Sequence, residues 1–382
     1  MTACGPRPLA GLRVVELAQN LAGPYCGQIL RDLGADVVKV ERPGIGDAAR
    51  AWGPPFIDGA GSIFAATNRG KRSIALDLKN DDDRTVLQAL IRQADVLVEA
   101  FRPGVFQRLG YGWDVVHKWN PRLIYCSVGA YGEVGPLRDL PGYDPLMQAH
   151  GGLLSVTGES GGDGVRVGTS VIDMGTGLWL TIGVLAALRH RDTTGSGMCV
   201  SSALYDTALA WNAYHVLGYL ADGTVPEPMG TELPMIAPYG VFPTSDGGLM
   251  IAAANDNLFR KLCVALQLGG VDDKFRTNPL RVRHRAEING IVSAATSRHT
   301  TAELLEVLRD SGVPSAPVQD MAEVVADPQT AASGMICQTE SGPAVALPIR
   351  LDGARQQPGD AVPRPGEHTT AIRRELDPGA GG

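Results

Sequence analysis

Cysteine, unbroken runs of basic charge and long apolar stretches are all scarce in this 382-residue sequence, and each shortage closes off a class of function. The six cysteines (Cys4, Cys26, Cys126, Cys199, Cys263, Cys337) lie far apart with no C-x-x-C. That spacing argues against a zinc site or a disulfide scaffold and suits a reducing, cytoplasmic compartment. Acidic residues outnumber basic ones by 41 to 34, a net charge of −7 with no long basic run, so nucleic acid is not an expected partner. The first residues, MTACGPRPLAGLRVVELA, have no basic-then-apolar signal pattern. The longest apolar run, around residues 182–188, is too short to cross a bilayer. No P-loop, H-E-x-x-H or G-x-S-x-G occurs, and His117, His190, His215, His284 and His299 lack metal-ligand spacing. What the chain does have is apolar residue, 44% of the total, enough for a sizeable core and more than one domain.

Short apolar runs alternate with amphipathic ones. Residues 12–17 (LRVVEL), 36–41 (DVVKVE), 73–78 (SIALDL), 95–100 and 123–128 (LIYCSV) read as buried strands. Helices are expected at 23–33, with Pro24 near the first turn, and at 81–92, with acids in its first turn. Strand–helix alternation of this kind predicts an α/β domain with a mostly parallel sheet, whose ligands bind beyond the carboxyl ends of the strands. Residues 42–70 are rich in glycine and proline and show no period. Further on, a strand at 198–201 and a long helix at 203–221 lead to a proline-rich linker at 222–238. A hairpin around Ser245-Asp246-Gly247-Gly248 follows. Helices come next at 257–268, 285–297 and 301–311, the last opened by a Thr300-x-x-Glu303 capping box. The expected organisation is a large α/β domain at 1–221, a smaller α+β domain at 239–330, and a segment at 331–382 that returns to the large domain, frayed after Gly366.

Two features carry chemistry. Residues 142–177 begin with the pair Tyr143-Asp144, cross a glycine-dense loop and reach Asp173 just before an apolar helix at 177–188, where Leu178, Ile182 and Leu185 recur at i, i+4, i+7. A carboxylate there can simply cap the helix. Held ionised by helix N–H groups and open on one side, it can also act as a nucleophile. The second feature is a set of basic residues, Arg42, Arg69, Lys71, Arg72, Lys79, Arg102 and Arg108, that flank strand and loop ends in an otherwise acidic chain. They form either a charged surface or a seat for a phosphate-bearing ligand. The loose dinucleotide fingerprint Gly44-Ile-Gly46-Asp-Ala-Ala49 is a weak signal, since Pro43 and the Pro54-Pro55 pair prevent the strand–turn–helix context it needs.

Several ordered blocks carry a family likeness. LAGLRVVEL at 9–17 is followed by AGP at 22–24, LGADVVKVERPG at 33–44, NRGKRSIALDLK at 68–79, ADVLVEAFRPGV at 94–105, LGYG at 109–112 and NPRLIY at 120–125. With IAPYGVFPTSDG at 236–247, this resembles the class III CoA-transferases, the group of the formyl-CoA and carnitine enzymes. The resemblance implies a Rossmann-like CoA-binding domain plus a smaller domain in an intertwined, ring-like homodimer. It implies that CoA moves between an acyl-CoA and a carboxylic acid through aspartyl anhydride and aspartyl-CoA thioester intermediates, without a metal. By position, Asp173 matches the nucleophile, and Tyr143 and Asp144 match an aromatic–acid pair of the same site. Gln19, Asn20 and Ala22, together with Arg42, Arg72, Leu76, Lys79, Ala100, Phe101 and Arg108, match the CoA-binding positions. Glycine N–H groups near Gly151-Gly152 or Gly175 are candidate oxyanion donors.

Two other functions stay in view. The related α-methylacyl-CoA racemases pair a histidine with the aspartate that Asp144 matches. Here Tyr143 stands in the histidine's place, and a phenol with an ordinary pKa near 10 is a poor base at neutral pH. A non-enzymatic CoA-binding protein would keep the basic residues and have no need of Asp173. Against the formyl-CoA enzyme itself, Leu21 replaces a polar residue and no glycine-rich lid is found near 229–234. A larger acyl group is therefore expected.

Overall fold

The computed structural model of the chain describes residues 5–269, 272–359 and 361–376. It divides into two compact units. The first takes the described residues of 1–153, 167–217 and 328–382, and the second those of 154–166 and 218–327.

A six-stranded sheet organises the first unit. Its strands are β1 (Arg13–Leu17), β2 (Asp36–Glu41), β3 (Arg72–Ala75), β4 (Val96–Glu99), β5 (Ile124–Gly129) and β6 (Cys199–Ala203). Every pairing is parallel and the spatial order is β3-β2-β1-β4-β5-β6. These short runs are near-continuously apolar because both faces are covered, as in other parallel sheets. Val14, Val37, Val96, Val98, Ile124 and Cys126 lie under the helices α1 (Ala22–Asp32) and, further along the chain, Val171–Thr194. On the other face, Val15, Val38, Val40, Ile74 and Leu97 meet α2 (Asp81–Gln93) and the C-terminal helix Thr369–Leu376. The chain works outward through β2 and β3, then returns past β1 to β4. The strand order thus switches between β1 and β4, the kind of point at which doubly wound folds bind ligands, outside the carboxyl ends of the strands.

Two helices set up the site: α3 (Asp144–His150) and α4 (Val171–Thr194). The three-turn helix expected at 177–188 is thus 24 residues long. The expected core stripe is also on the wrong side. Leu178, Ile182 and Leu185 are exposed, whereas Ile172, Gly177, Leu180, Thr181, Val184 and Leu188 are buried. The helix is apolar all round, so periodicity could not tell its two faces apart. By length and composition it could cross a membrane, unlike the short run read from the sequence. In the structure its inner face belongs to the core, and its buried Arg191 pairs with Asp95.

Other differences are local. The helix expected at 203–221 breaks at Asn212, whose side chain donates to Gly151 O at 2.7 Å, leaving α5 (Leu204–Trp211) and a second helix, Ala213–Asp222. The irregular 42–70 region holds a one-turn helix at Ala48–Ala51, a small hairpin and the helix Ser62–Asn68. The supposedly frayed tail contains the helix Thr369–Leu376, with Ile372 buried against the sheet.

The second unit has an antiparallel sheet of Tyr239–Pro243, Gly248–Ala252 and Ser315–Pro317. Helices Asp256–Ala265, Arg285–Thr296 and Thr301–Asp310 accompany it, and Leu249, Ile251, Leu262, Val292 and Leu308 form its centre. The Thr300–Glu303 capping box is present as read from the sequence. Five described cysteines are unpaired thiols; Cys4 lies outside the described residues.

Candidate active site

Helix α4 begins where it does because another helix caps it. Ser170, at the N-cap, offers no side-chain bond. The buried carboxylate of Asp144 accepts instead from the N–H groups of Ile172 (2.8 Å) and Asp173 (3.2 Å), while its other oxygen accepts from Gln148 Nε2. Gln148 Oε1 accepts in turn from Val167 N–H at 2.9 Å. Two side chains one turn apart on α3 therefore fix the approach to α4. The Asp173 carboxylate is left without a hydrogen bond among the described residues. Burial, and next to it the charge of Asp144, push its pKa up to about 7. Tyr143 stands just before α3, half exposed, and its hydroxyl makes no hydrogen bond among the described residues.

The loop after β1 faces the same place. At Gly177, α4 meets the start of α1 so closely that a Cβ would lie 2.7 Å from Ala22 O and 3.2 Å from Cys26 N. Asp173 stands one turn earlier on the same helical face, and helical side chains lean towards the N-terminus. Its carboxylate is thus carried towards the beginning of α1, where Gln19 is exposed, Asn20 is half-buried and Ala22 opens the helix. The N–H groups of Ala22 and Gly23 have no carbonyl partner among the described residues, the first helical bond being Tyr25 N–H to Leu21 O, and Pro24 has no N–H to give. The glycine donors expected elsewhere are already used. Gly151 N–H goes to Met147 O, Gly152 N–H goes to Ala149 O, and Gly175 lies inside α4 against the Trp211 ring.

The expected cofactor-binding residues mostly share one edge of the sheet. Arg42 follows β2, Leu76 and Lys79 follow β3, and Ala100 and Phe101 follow β4. Arg108 ends the short helix Val105–Arg108 just beyond. Leu76 is buried, and Phe101 stacks on Phe106 with centroids 5.1 Å apart. Arg42, Lys79 and Arg108 are exposed and have no carboxylate partner among the described residues, and the same holds for Arg102. Arg72 stands apart. It opens β3 at the opposite end of the sheet, and its guanidinium is held by Asp36 at 2.5 Å and Glu375 at 2.8 Å. Arg69 and Lys71 are buried rather than displayed, with Lys71 Nζ 2.8 Å from Glu16.

Asp47, within the loose glycine fingerprint, was not picked out from the sequence. A one-turn helix, Ala48–Ala51, follows it in place of the long helix that a dinucleotide fingerprint opens. Asp47 accepts the Asn20 N–H at 3.1 Å. Glu99 likewise accepts the Phe101 N–H at 2.8 Å and the Tyr125 hydroxyl at 3.2 Å, and burial pushes its pKa up to about 7. Asp47, Glu99 and Asp144 thus each hold the backbone of one loop that carries candidate site residues. No motif announces this, because each bond joins residues whose approach only the tertiary fold creates.

Fold and edge together define a doubly wound α/β protein that carries, towards the carboxyl ends of its strands, cations without a carboxylate partner and the unbonded carboxylate of Asp173 among the described residues. The model of CoA-transferase family III matches residues 9–369. The chain is 39% identical to a succinate–glutarate CoA-transferase of Agrobacterium fabrum, covering 97% of this chain and 96% of that one. It is 36% identical to a succinyl-CoA:glutarate CoA-transferase of Mus musculus, covering 97% and 86%. The crystal structure of a CAIB/BAIF family protein from Brucella suis superposes with a TM-score of 0.88 at 40% identity, covering 98% and 100%. The chain belongs to CoA-transferase family III. It is an enzyme of that class, transferring CoA between an acyl-CoA and a carboxylate.

Proposed function

We propose that this enzyme moves CoA from a dicarboxylic acyl-CoA to a second dicarboxylic acid with Asp173 as the nucleophile. The observation that carries the reading is the division of labour between two aspartates. Asp144 takes over the cap of α4, so the carboxylate of Asp173 is left without a hydrogen bond among the described residues, and the close approach of α4 to α1 at Gly177 turns it towards the start of α1. The Asp173 oxygen attacks the donor thioester carbon, and the C–S bond breaks to give an aspartyl anhydride and CoA thiolate. The thiolate attacks the aspartyl carbonyl and releases the donor as a carboxylate, leaving an aspartyl-CoA thioester. The acceptor carboxylate displaces thiolate from that thioester to form a second anhydride. Thiolate then attacks the acceptor carbonyl, forming the new acyl-CoA and regenerating Asp173. A covalent route replaces one difficult exchange with easier steps. We assign the N–H groups of Ala22 and Gly23 to the developing oxyanions. Arg42, Lys79, Arg102 and Arg108 are assigned to the CoA phosphates, and Tyr143 to the wall of the acyl site.

The substrate class rests on the relatives, whose names specify succinate, glutarate and mesaconate. A racemase would need a base beside Asp144. His150 lies at the other end of α3, bonded to the Tyr131 hydroxyl at 3.0 Å. The exposed Leu178, Ile182 and Leu185 stripe of α4 is assigned to contact with a second copy of the chain, to be checked by sedimentation, and the protein is assigned to the cytoplasm, a reading supported by its widely spaced thiols.

The test is intact-mass spectrometry after incubation with succinyl-CoA, beside Asp173→Asn, with hydroxylamine trapping and peptide mapping. A CoA-sized adduct or a hydroxamate on the Asp173 peptide, absent from the variant, is expected. Turnover without any adduct, or labelling that persists in the variant, would sink the assignment.

A further inference from the structure

Beneath the loop that follows β1 lies a dry cluster of opposite charges. Glu16 and Lys39 face each other directly across β1 and β2. Lys39 Nζ lies 2.9 Å from Glu16 Oε1 and 2.9 Å from Asp47 Oδ2, and it donates to Ala18 O at 2.7 Å. The second Glu16 oxygen is 2.8 Å from Lys71 Nζ, which also donates to Pro24 O at 2.8 Å and Asn68 Oδ1 at 3.0 Å. All four charged side chains have 0% exposure or close to it. The two lysines therefore grip carbonyls at both ends of residues 18–24, and Asp47 holds the middle through the Asn20 N–H. Asn20 sits at φ 67°, a left-handed conformation that asparagine visits more readily than most residues but still holds at a cost, so that its surroundings help to fix it. Helix α1 rests directly on the cluster, for a Cβ on Gly27 would fall 1.9 Å from Glu16 Oε2.

Buried ion pairs are a poor source of stability, since apolar replacements of similar shape often do as well. What this cluster supplies is a fixed geometry for the segment that carries Gln19, Asn20 and the unpaired N–H groups of Ala22 and Gly23. We infer that Asp47, backed by Lys39, is a positioning residue for the transfer reaction. It locks Asn20 in its left-handed conformation and so holds the start of α1 against the reacting centre at Asp173. The inference rests on the nucleophile reading above.

The experiment compares Asp47→Ala, which removes the acceptor of the Asn20 N–H, with Asp47→Asn, which keeps a carbonyl acceptor. Each full-length protein is mixed with succinyl-CoA. The rate of adduct formation at Asp173 is followed by rapid quench, normalised to the number of sites that label, together with the half-saturating succinyl-CoA concentration. Asp47→Ala is expected to slow the rate per site by about tenfold or more while half-saturation moves less than about twofold, and Asp47→Asn to recover most of the loss. A merely structural role would lower the number of labelling sites and leave the rate per site alone. An alanine variant as fast as wild type, or an asparagine variant as slow as alanine, overturns the inference. Should the alanine variant fail to fold, Asn20→Val, which disfavours the left-handed backbone, is compared with Asn20→Gly, which permits it. Valine at least about tenfold slower than glycine supports the inference, and equal rates overturn it. A wild-type protein that turns over but never labels at Asp173 overturns the nucleophile reading instead, and the two failures are thereby distinguished.

Discussion

A carboxylate one turn into a helix ordinarily gives itself to the nearest N–H groups; Asp173 does not, because Asp144 has taken them. The consequence is a pH dependence whose sign can be worked out. Burial and the neighbouring Asp144 raise the Asp173 pKa to about 7, so with Asp173 as the proposed nucleophile its ionised, attacking form grows as pH rises through that value. The acid limb of kcat/KM is expected to bend near pH 7 and to fall about tenfold per pH unit below it. Asp144→Asn removes the neighbouring charge and should move the bend to lower pH. Stability runs the opposite way. Between the ordinary carboxyl range and pH 7 the folded chain holds a proton that the unfolded chain has lost, so ionising Asp173 costs stability as pH rises across that window. Asp173→Asn should therefore unfold at a higher temperature than wild type at pH 8 and at about the same temperature at pH 4. A calorimetric series that shows no such divergence would mean that the carboxylate is solvated like any other. The place of Asp173 at the start of a helix was legible in the sequence because acid, glycine and helix fall together within a few residues, a pattern that fits a cap as well as a nucleophile; only the family resemblance pointed to the nucleophile. The role of Asp144 was not, since its partners lie 28 and 29 positions away and only the packing of α3 on α4 unites them.

Among the elements, the strands were the easiest to read. Runs such as VVKV and VLVE are apolar on both faces and bounded by turns, and the structure departs from the expected limits by a residue or two, with β3 the exception: it starts one residue early and ends three residues early. Helix α4 was harder, since the two glycines before Leu178 masked its first turns and its all-round apolarity hid which side faces the core. Glycine also decides how closely α1 can sit. At Gly27 the added Cβ of Gly27→Ala would meet a buried carboxylate oxygen tied to a lysine, so neither partner can yield without breaking the ion cluster. The substitution is expected to cost about 1–3 kcal/mol, read by denaturant unfolding. Gly218→Ala, where no atom approaches within 4 Å, serves as the control. A Gly27 variant as stable as that control would show that the cluster has room to move.

At the scale of the whole molecule, the doubly wound sheet gathers residues from distant blocks onto one edge, and position along a strand decides which cations can serve there. The sequence placed Arg72 with Arg42, Lys79 and Arg108 because all four are basic, lie near strands and match the family's CoA-binding positions, none of which tells which end of a strand each residue occupies. The structure separates them by charge bookkeeping: those at the carboxyl ends are unpaired among the described residues, whereas Arg72 at the amino end is neutralised by Asp36 and Glu375. On the proposed assignment, methionine in place of Arg42, Lys79, Arg102 or Arg108 removes one phosphate contact of about 1 kcal/mol, so each KM for acyl-CoA should rise about fivefold with kcat nearly unchanged. The increase should shrink in high salt, as screening erodes the wild-type contact. Arg72→Met should leave that KM within about twofold of wild type and instead loosen the C-terminal helix that Glu375 ties to the sheet, seen as faster amide exchange across Thr369–Leu376. A large KM effect at Arg72 with no change in exchange would return it to the CoA site and show that the ion pairs with Asp36 and Glu375 open when CoA binds.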